Sequence, residues 1–229
     1  MLAVVCWRSG ANGSRPVRDG LLGLPVWRLE VDQRSRLARH RLARGLRRLS
    51  DKGVRRVLLP EDFPYRPQME KAGLAPVGAE GLYGVLAGPL TLAALSDRGE
   101  APHRAAVTLC GSRADEDLVR AACVLCPRVK RLTLCVERGG QGLAARLYRE
   151  YGAAVELGVV GQGLQVCFDE AHDGTALDVH RPRLLMPELV LSVSGLELPP
   201  DWEADCVLAA LWQGGRLDPG RIELRRRSE

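Results

Sequence analysis

Residues 105–157 read AAVTLCGSRADEDLVRAACVLCPRVKRLTLCVERGGQGLAARLYREYGAAVEL, and this stretch decides the fold. AAVTLC (105–110) and RLTLCV (131–136) are short apolar runs with β-branched residues, the pattern of buried strands. Residues 113–126 between them have helical length and stop at Pro127. A second helix is expected over Gly142–Tyr151, ended by Gly152, and a third strand over Ala153–Leu157. Short strands alternating with longer helices argue for βαβ units, a parallel sheet and right-handed crossovers.

Further strands are expected at Leu164–Phe168 and Leu189–Val193, then a C-terminal helix over Asp205–Gln213 and a polar tail, RIELRRRSE. Toward the N-terminus the rhythm is less regular. Leu2–Trp7 (LAVVCW) reads as a buried strand, residues 9–25 as a long loop, and Val26–Val31 as a short strand. Asp32 is placed to cap a helix running to Lys52, with Ala38, Leu42, Leu46 and Leu49 on one face and arginines on the other. A strand (Val54–Leu59), a short helix (Gln68–Ala72), a short strand (Ala75–Val77) and an apolar helix over Gly81–Asp97 follow; Gly84, Gly88 and Pro89 are able to break the last. The polar stretch SDRGEAP (96–102) marks a boundary. The expectation is an α/β protein: a small α/β unit with a basic helix at 1–98, and a mostly parallel Rossmann-like sheet with a C-terminal helix at 99–229.

The strand AVTLC, then Gly111, a helix, the strand RLTLCV and Glu137 at its end resemble the opening of a Rossmann domain, and loosely the second domain of shikimate-dehydrogenase-like proteins. The resemblance covers about 50 residues. It implies a dinucleotide site in which an acidic residue such as Glu137 holds ribose hydroxyls. It also implies a catalytic Lys and Asp in the first domain, where this chain has only Lys52 and Lys71, in other contexts. The glycine motif is degenerate as well. CGSRADEDL keeps Gly111 alone where GxGxxG is needed. Ser112 followed by Asp115 reads as a capping box, and Asp115, Glu116 and Asp117 offset the helix dipole and repel a diphosphate. A second glycine cluster, Gly139, Gly140 and Gly142, offers backbone amides to an anion beside Arg138. A ligand, if bound, is expected beyond the C-terminal ends of the parallel strands, against Gly111, Ser112, Glu137, Gly139 and Gly140.

At 229 residues, 46% hydrophobic and 27% charged, the composition is that of a globular chain. No apolar run approaches the roughly 20 residues that span a bilayer, and Met1–Trp7 is too short for a signal sequence, so a cytoplasmic, membrane-free protein is expected. The net charge of +5 is concentrated between Arg34 and Arg56, where ten basic residues face Asp51 alone. Arg36, Arg44, Arg47 and Arg48, with His40, form a face able to contact phosphates. No nucleic-acid motif or aromatic partner accompanies it. Arginine dominates the basic residues of the whole chain, so part of this richness is compositional.

The seven cysteines are an odd number, several inside apolar runs, and read as small buried residues. Cys123 and Cys126 form a CxxC with no second half to complete a zinc site. His172 and His180, with Asp169, Glu170, Asp173 and Asp178, are the densest group of metal-ligating types, but their spacing fits no ligand pattern and reads as a solvated loop. No metal, cofactor or catalytic residue is assigned. Three functions remain open: a non-catalytic binding or interaction protein on a degenerate Rossmann-like fold, an enzyme taking a nucleotide or anionic small molecule in the crevice, and a nucleic-acid binder using residues 34–56.

Overall fold

The computed structural model describes residues 1–11, 13–158, 163–169 and 175–226. The chain forms two compact units, Met1–Ala79 with Gly195–Arg221, and Glu80–Ser194 with Ile222–Glu229. This partition differs from a cut at residue 98 in three places. The apolar helices after residue 79 belong to the second unit, residues 195–221 return to the first, and the tail rejoins the second.

In the first unit, β1 (Leu2–Trp7), β2 (Val17–Leu21), β3 (Leu24–Val31), β4 (Arg56–Leu58) and β5 (Ala75–Pro76) form a mixed sheet in the order β2-β3-β1-β4-β5. Only the β2–β3 pair is antiparallel. Part of the stretch expected to be loop is thus the first arm of a hairpin. Its two-residue turn holds Leu22 (φ 48°) and Gly23 (φ 81°), the left-handed pair that matches strand twist. A leucine there is an uncommon turn residue, which hid the hairpin in the sequence.

Helix α1 (Ala38–Asp51) presents Leu42, Leu46 and Leu49, all fully buried, to Ala3, Val5, Leu29 and Val31. Gly45 lets it lie close: a Cβ there would come within 2.7 Å of Leu29 Cδ1. Asp32 is not its cap, because the helix starts six residues later; its carboxylate accepts the backbone N–H groups of Gly10 and Arg34, each at 3.0 Å. Helix α2 (Arg66–Lys71) adds the buried Met69 to this core. In the returning segment, the indole N–H of Trp202 donates to the Val5 carbonyl at 2.8 Å, beyond the end of the β1–β4 ladder.

The second unit opens with α3 (Glu80–Val85) and α4 (Ala87–Asp97), so the expected single helix breaks at Leu86. Then come β6 (Ala106–Arg113), α5 (Glu116–Leu125), β7 (Arg131–Arg138), α6 (Gly140–Tyr151), β8 (Glu156–Leu157), β9 (Leu164–Cys167) and β10 (Leu177–Asp178). Their sheet runs β10-β9-β6-β7-β8 and every pair is parallel. Counted from β6, that is the Rossmann order 3-2-1-4-5, with its switch point between β6 and β9. Gly84 and Gly88 admit α5: a Cβ on either would strike Asp117 or Val124.

The last expected strand, β11 (Leu189–Val193), stays outside this sheet. It pairs antiparallel with β12 (Ile222–Arg226), the segment expected to be a polar tail. Ile222 and Leu224 alternate with charged residues there, and Arg226 reaches Asp97 at 2.9 Å. Helix α7 (Ala204–Gln213), found where the sequence placed it, lies in the first unit and buries Val207 through Leu211. Among the described residues, no helix is long and apolar enough to cross a membrane.

Candidate functional site at the β7–α6 turn

Two strand-to-helix turns lie side by side at the carboxyl end of the parallel sheet, and they differ in chemistry. At the first, β6 runs on to Arg113 because Gly111 and Arg113 still pair with Val136 and Arg138 of β7. This extension removes Ser112 from the cap position the sequence implied. The cap is Asp115, whose Oδ1 accepts the N–H of Leu118 at 3.0 Å. Arg120 binds Glu116 at 2.6 Å and Asp117 at 2.9 Å. Burial pushes the Asp117 carboxyl above the ordinary aspartate range; Arg120 opposes that shift, and Asp115 and Glu116 add to it.

The switch point is closed from the other side too. Asp169, just after β9, takes the backbone N–H of Ser112 onto its carboxylate at 2.6 Å. Gly111 faces Leu118 of α5, 3.2 Å from where a Cβ would stand. Amides of this turn, where a Rossmann-type dinucleotide site places its pyrophosphate, are thus taken by Asp115 and Asp169 of the chain itself.

At the second turn, Gly139 caps α6 in a left-handed conformation (φ 85°) with no side chain bonded to the helix end and no acidic residue in the first turn. The first amides of an α-helix have no partner inside it, and those of Gly140, Gln141 and Gly142 fall in this class. A cleft of about 700 Å³ opens here, lined by Glu137, Gly139, Gly140, Gln141, Gly142 and Leu157 among others. Helix amides with the positive end of the helix dipole attract negative charge, while Glu137 at the rim accepts hydroxyl donors.

Of the five residues expected to line one crevice, the structure brings together Glu137, Gly139 and Gly140. Gly111 and Ser112 sit on β6, packed against α5 and bonded to Asp169. Gln141 and Leu157 were not singled out from the sequence, and Gly142 was named in the glycine cluster but not among those five; Leu157 reaches the cleft only through the β7–β8 pairing.

The other candidates are placed as follows. Arg36 precedes α1, Arg44 bonds His40 at 3.2 Å, and Arg47 is exposed. Arg48 donates to the Ser14 carbonyl at 2.7 Å, and Lys52 lies 4.4 Å from the Trp27 ring centre. Part of the basic face thus ties loop and sheet to the helix. Asp178 is 3% exposed and accepts from the N–H groups of His180 and Arg181 and from the Arg181 side chain. Its partner in the acidic segment, Asp169, closes the switch point, while Glu170, His172 and Asp173 lie outside the described residues. Among the described residues no group of three or more His, Cys, Asp and Glu is placed to hold a metal ion. Six of the seven cysteines are only half-buried; Cys126 alone is buried as expected.

In comparisons with known proteins, no family model matches the chain, and no curated protein matches it.

Proposed function

We propose that this is a binding protein without catalytic machinery, which holds a small anionic molecule in the cleft at the N-terminus of α6. The observation that carries the reading is the contrast between two adjacent helix starts. That of α5 is capped and charge-balanced by the chain itself, and that of α6 opens its amides to a cleft large enough for a metabolite. A nucleotide bound there engages its phosphate at α6 and not at the usual glycine turn.

The test is a thermal-shift and calorimetric screen with inorganic phosphate, ATP, NAD, NADP and S-adenosylmethionine. Stabilisation of several degrees by at least one anion is expected, and it should vanish in Gly142→Asp. A Cβ at Gly142 meets open space, so that variant folds while placing a carboxylate in the cleft. No shift with any ligand, or a shift that Gly142→Asp leaves unchanged, overturns the reading. The exposed Arg36, Arg44 and Arg47 support a second reading, in which the basic helix contacts nucleic acid. Salt-sensitive gel retardation lost in Arg36→Ala/Arg44→Ala/Arg47→Ala would establish it over the first.

A further inference from the structure

The three central strands of the second unit carry the same four-residue pattern in the same register. Val107-Thr108-Leu109-Cys110 on β6 lies beside Leu132-Thr133-Leu134-Cys135 on β7 and Leu164-Gln165-Val166-Cys167 on β9. Rows therefore cross the sheet: apolar, polar, apolar, thiol. Residues in register on neighbouring strands point to the same side. Leu109, Leu134 and Val166 are buried, whereas Cys110, Cys135 and Cys167 are half-buried. The Cys110 thiol donates to the Thr108 carbonyl of its own strand at 4.0 Å, and Cys135 and Cys167 are its register partners on either side.

We infer that this row is a thiol-oxidation site in which Cys110 is an obligatory member of every disulfide, paired with Cys135 or with Cys167. Neighbouring strands stand about 4.8 Å apart, inside the Cα separation a disulfide bridges. Cys135 and Cys167 are two strand spacings apart, roughly 9.6 Å, beyond the ~7 Å limit for bridging.

The oxidant class is an oxidised low-molecular-weight thiol. Cys135, which also lines the cleft, gives up its proton, and its sulfur attacks one sulfur of the small disulfide. The S–S bond breaks and one small thiol leaves with a proton. Cys110 then loses its proton, and its sulfur attacks the Cys135 sulfur of the mixed disulfide. The second small thiol leaves, protonated. Two protein thiols are oxidised by two electrons and one small disulfide is reduced to two thiols. Burial pushes the Cys110 thiol up to about 12, which disfavours it as the thiol that starts the exchange; its place between Cys135 and Cys167 in the row makes it the resolving thiol. Cys167 can in turn lose its proton and attack the Cys110 sulfur; the 110–135 bond breaks and Cys135 leaves as a thiol, taking up a proton.

The experiment treats the full-length protein with oxidised glutathione, quenches with acid, alkylates the remaining thiols and maps crosslinked peptides by mass spectrometry. Disulfides 110–135 and 110–167 are expected. Cys110→Ser should form no disulfide within the row and retain the mixed disulfide at Cys135. Cys135→Ser should lose both bridges with oxidised glutathione, because the thiol that starts the exchange is gone. Cys110→Ala repeats the central test should the serine variant fail to fold, as judged by circular dichroism. A 135–167 bridge in the native protein, three unmodified thiols in the row, or the same crosslink pattern in denaturant overturns the inference.

Discussion

The helix starts after β6 and β7 belong to the same parallel sheet, and they treat their orphan amides in opposite ways. Helix α5 begins with an aspartate cap, two further carboxylates and an arginine that binds both of the latter. Helix α6 begins with glycines and no carboxylate at all. Helix and strand geometry alone would make both ends anion sites. What separates them is which side chains stand at N-cap and in the first turn. A fold can thus keep its Rossmann order while the usual phosphate position is closed and its neighbour left open.

The largest effect should come from breaking the open turn. Gly139→Val forces a β-branched side chain into φ near 85°, with Ala114 Cβ 3.2 Å from the new Cβ. A loss of about 1–3 kcal/mol in urea unfolding is expected, together with loss of anion binding. At the closed turn, Asp115→Ala removes the cap bond to Leu118 and should cost about 1 kcal/mol without creating an anion site, since Glu116 and Asp117 remain.

The third test concerns charge at the closed turn. Burial raises the Asp117 carboxyl, so the folded state holds its proton more tightly than the unfolded chain does. Its contribution to stability is complete below the ordinary aspartate value of 3.8 and is lost as pH rises through the raised folded value. Asp117→Asn should therefore gain stability relative to the parent protein on going from acid to neutral pH. Denaturant midpoints measured across that range check the direction. The smallest effect is expected from Ser112→Ala, within about 0.5 kcal/mol, because Ser112 lies in β6 and its backbone N–H, which the substitution keeps, makes the bond to Asp169. A cost equal to that of Asp115→Ala would mean that Ser112 caps α5 after all.

Much of the second unit was legible residue by residue. Strands at 105–110 and 131–136 and the helices after them follow from apolar period and punctuation; pairing carries the strands on to 113 and 138. The missed elements share a cause. The Leu22-Gly23 turn has leucine at its first position, where Asn, Asp or Gly is usual, and Ile222–Arg226 is a strand whose alternate residues are charged, so its local pattern resembles a solvated tail. Ser112 was read as a cap because Ser-x-x-Asp is a local motif, but cross-strand pairing extended β6 through it.

By itself the sequence determined which segments are apolar and periodic, and hence the α/β class, the alternation of strand and helix, and the carboxylates and glycines at the two turns. Those properties depend on residues within one or two turns of each other. Strand order, the return of residues 195–221 to the first unit, the alignment of Cys110 with Cys135 and Cys167, and the insertion of Asp169 at the switch point were decided only by tertiary structure. Each is a pairing between segments far apart in the chain, set by which hydrogen-bonding edges and apolar faces meet best, and no local window of sequence contains both partners.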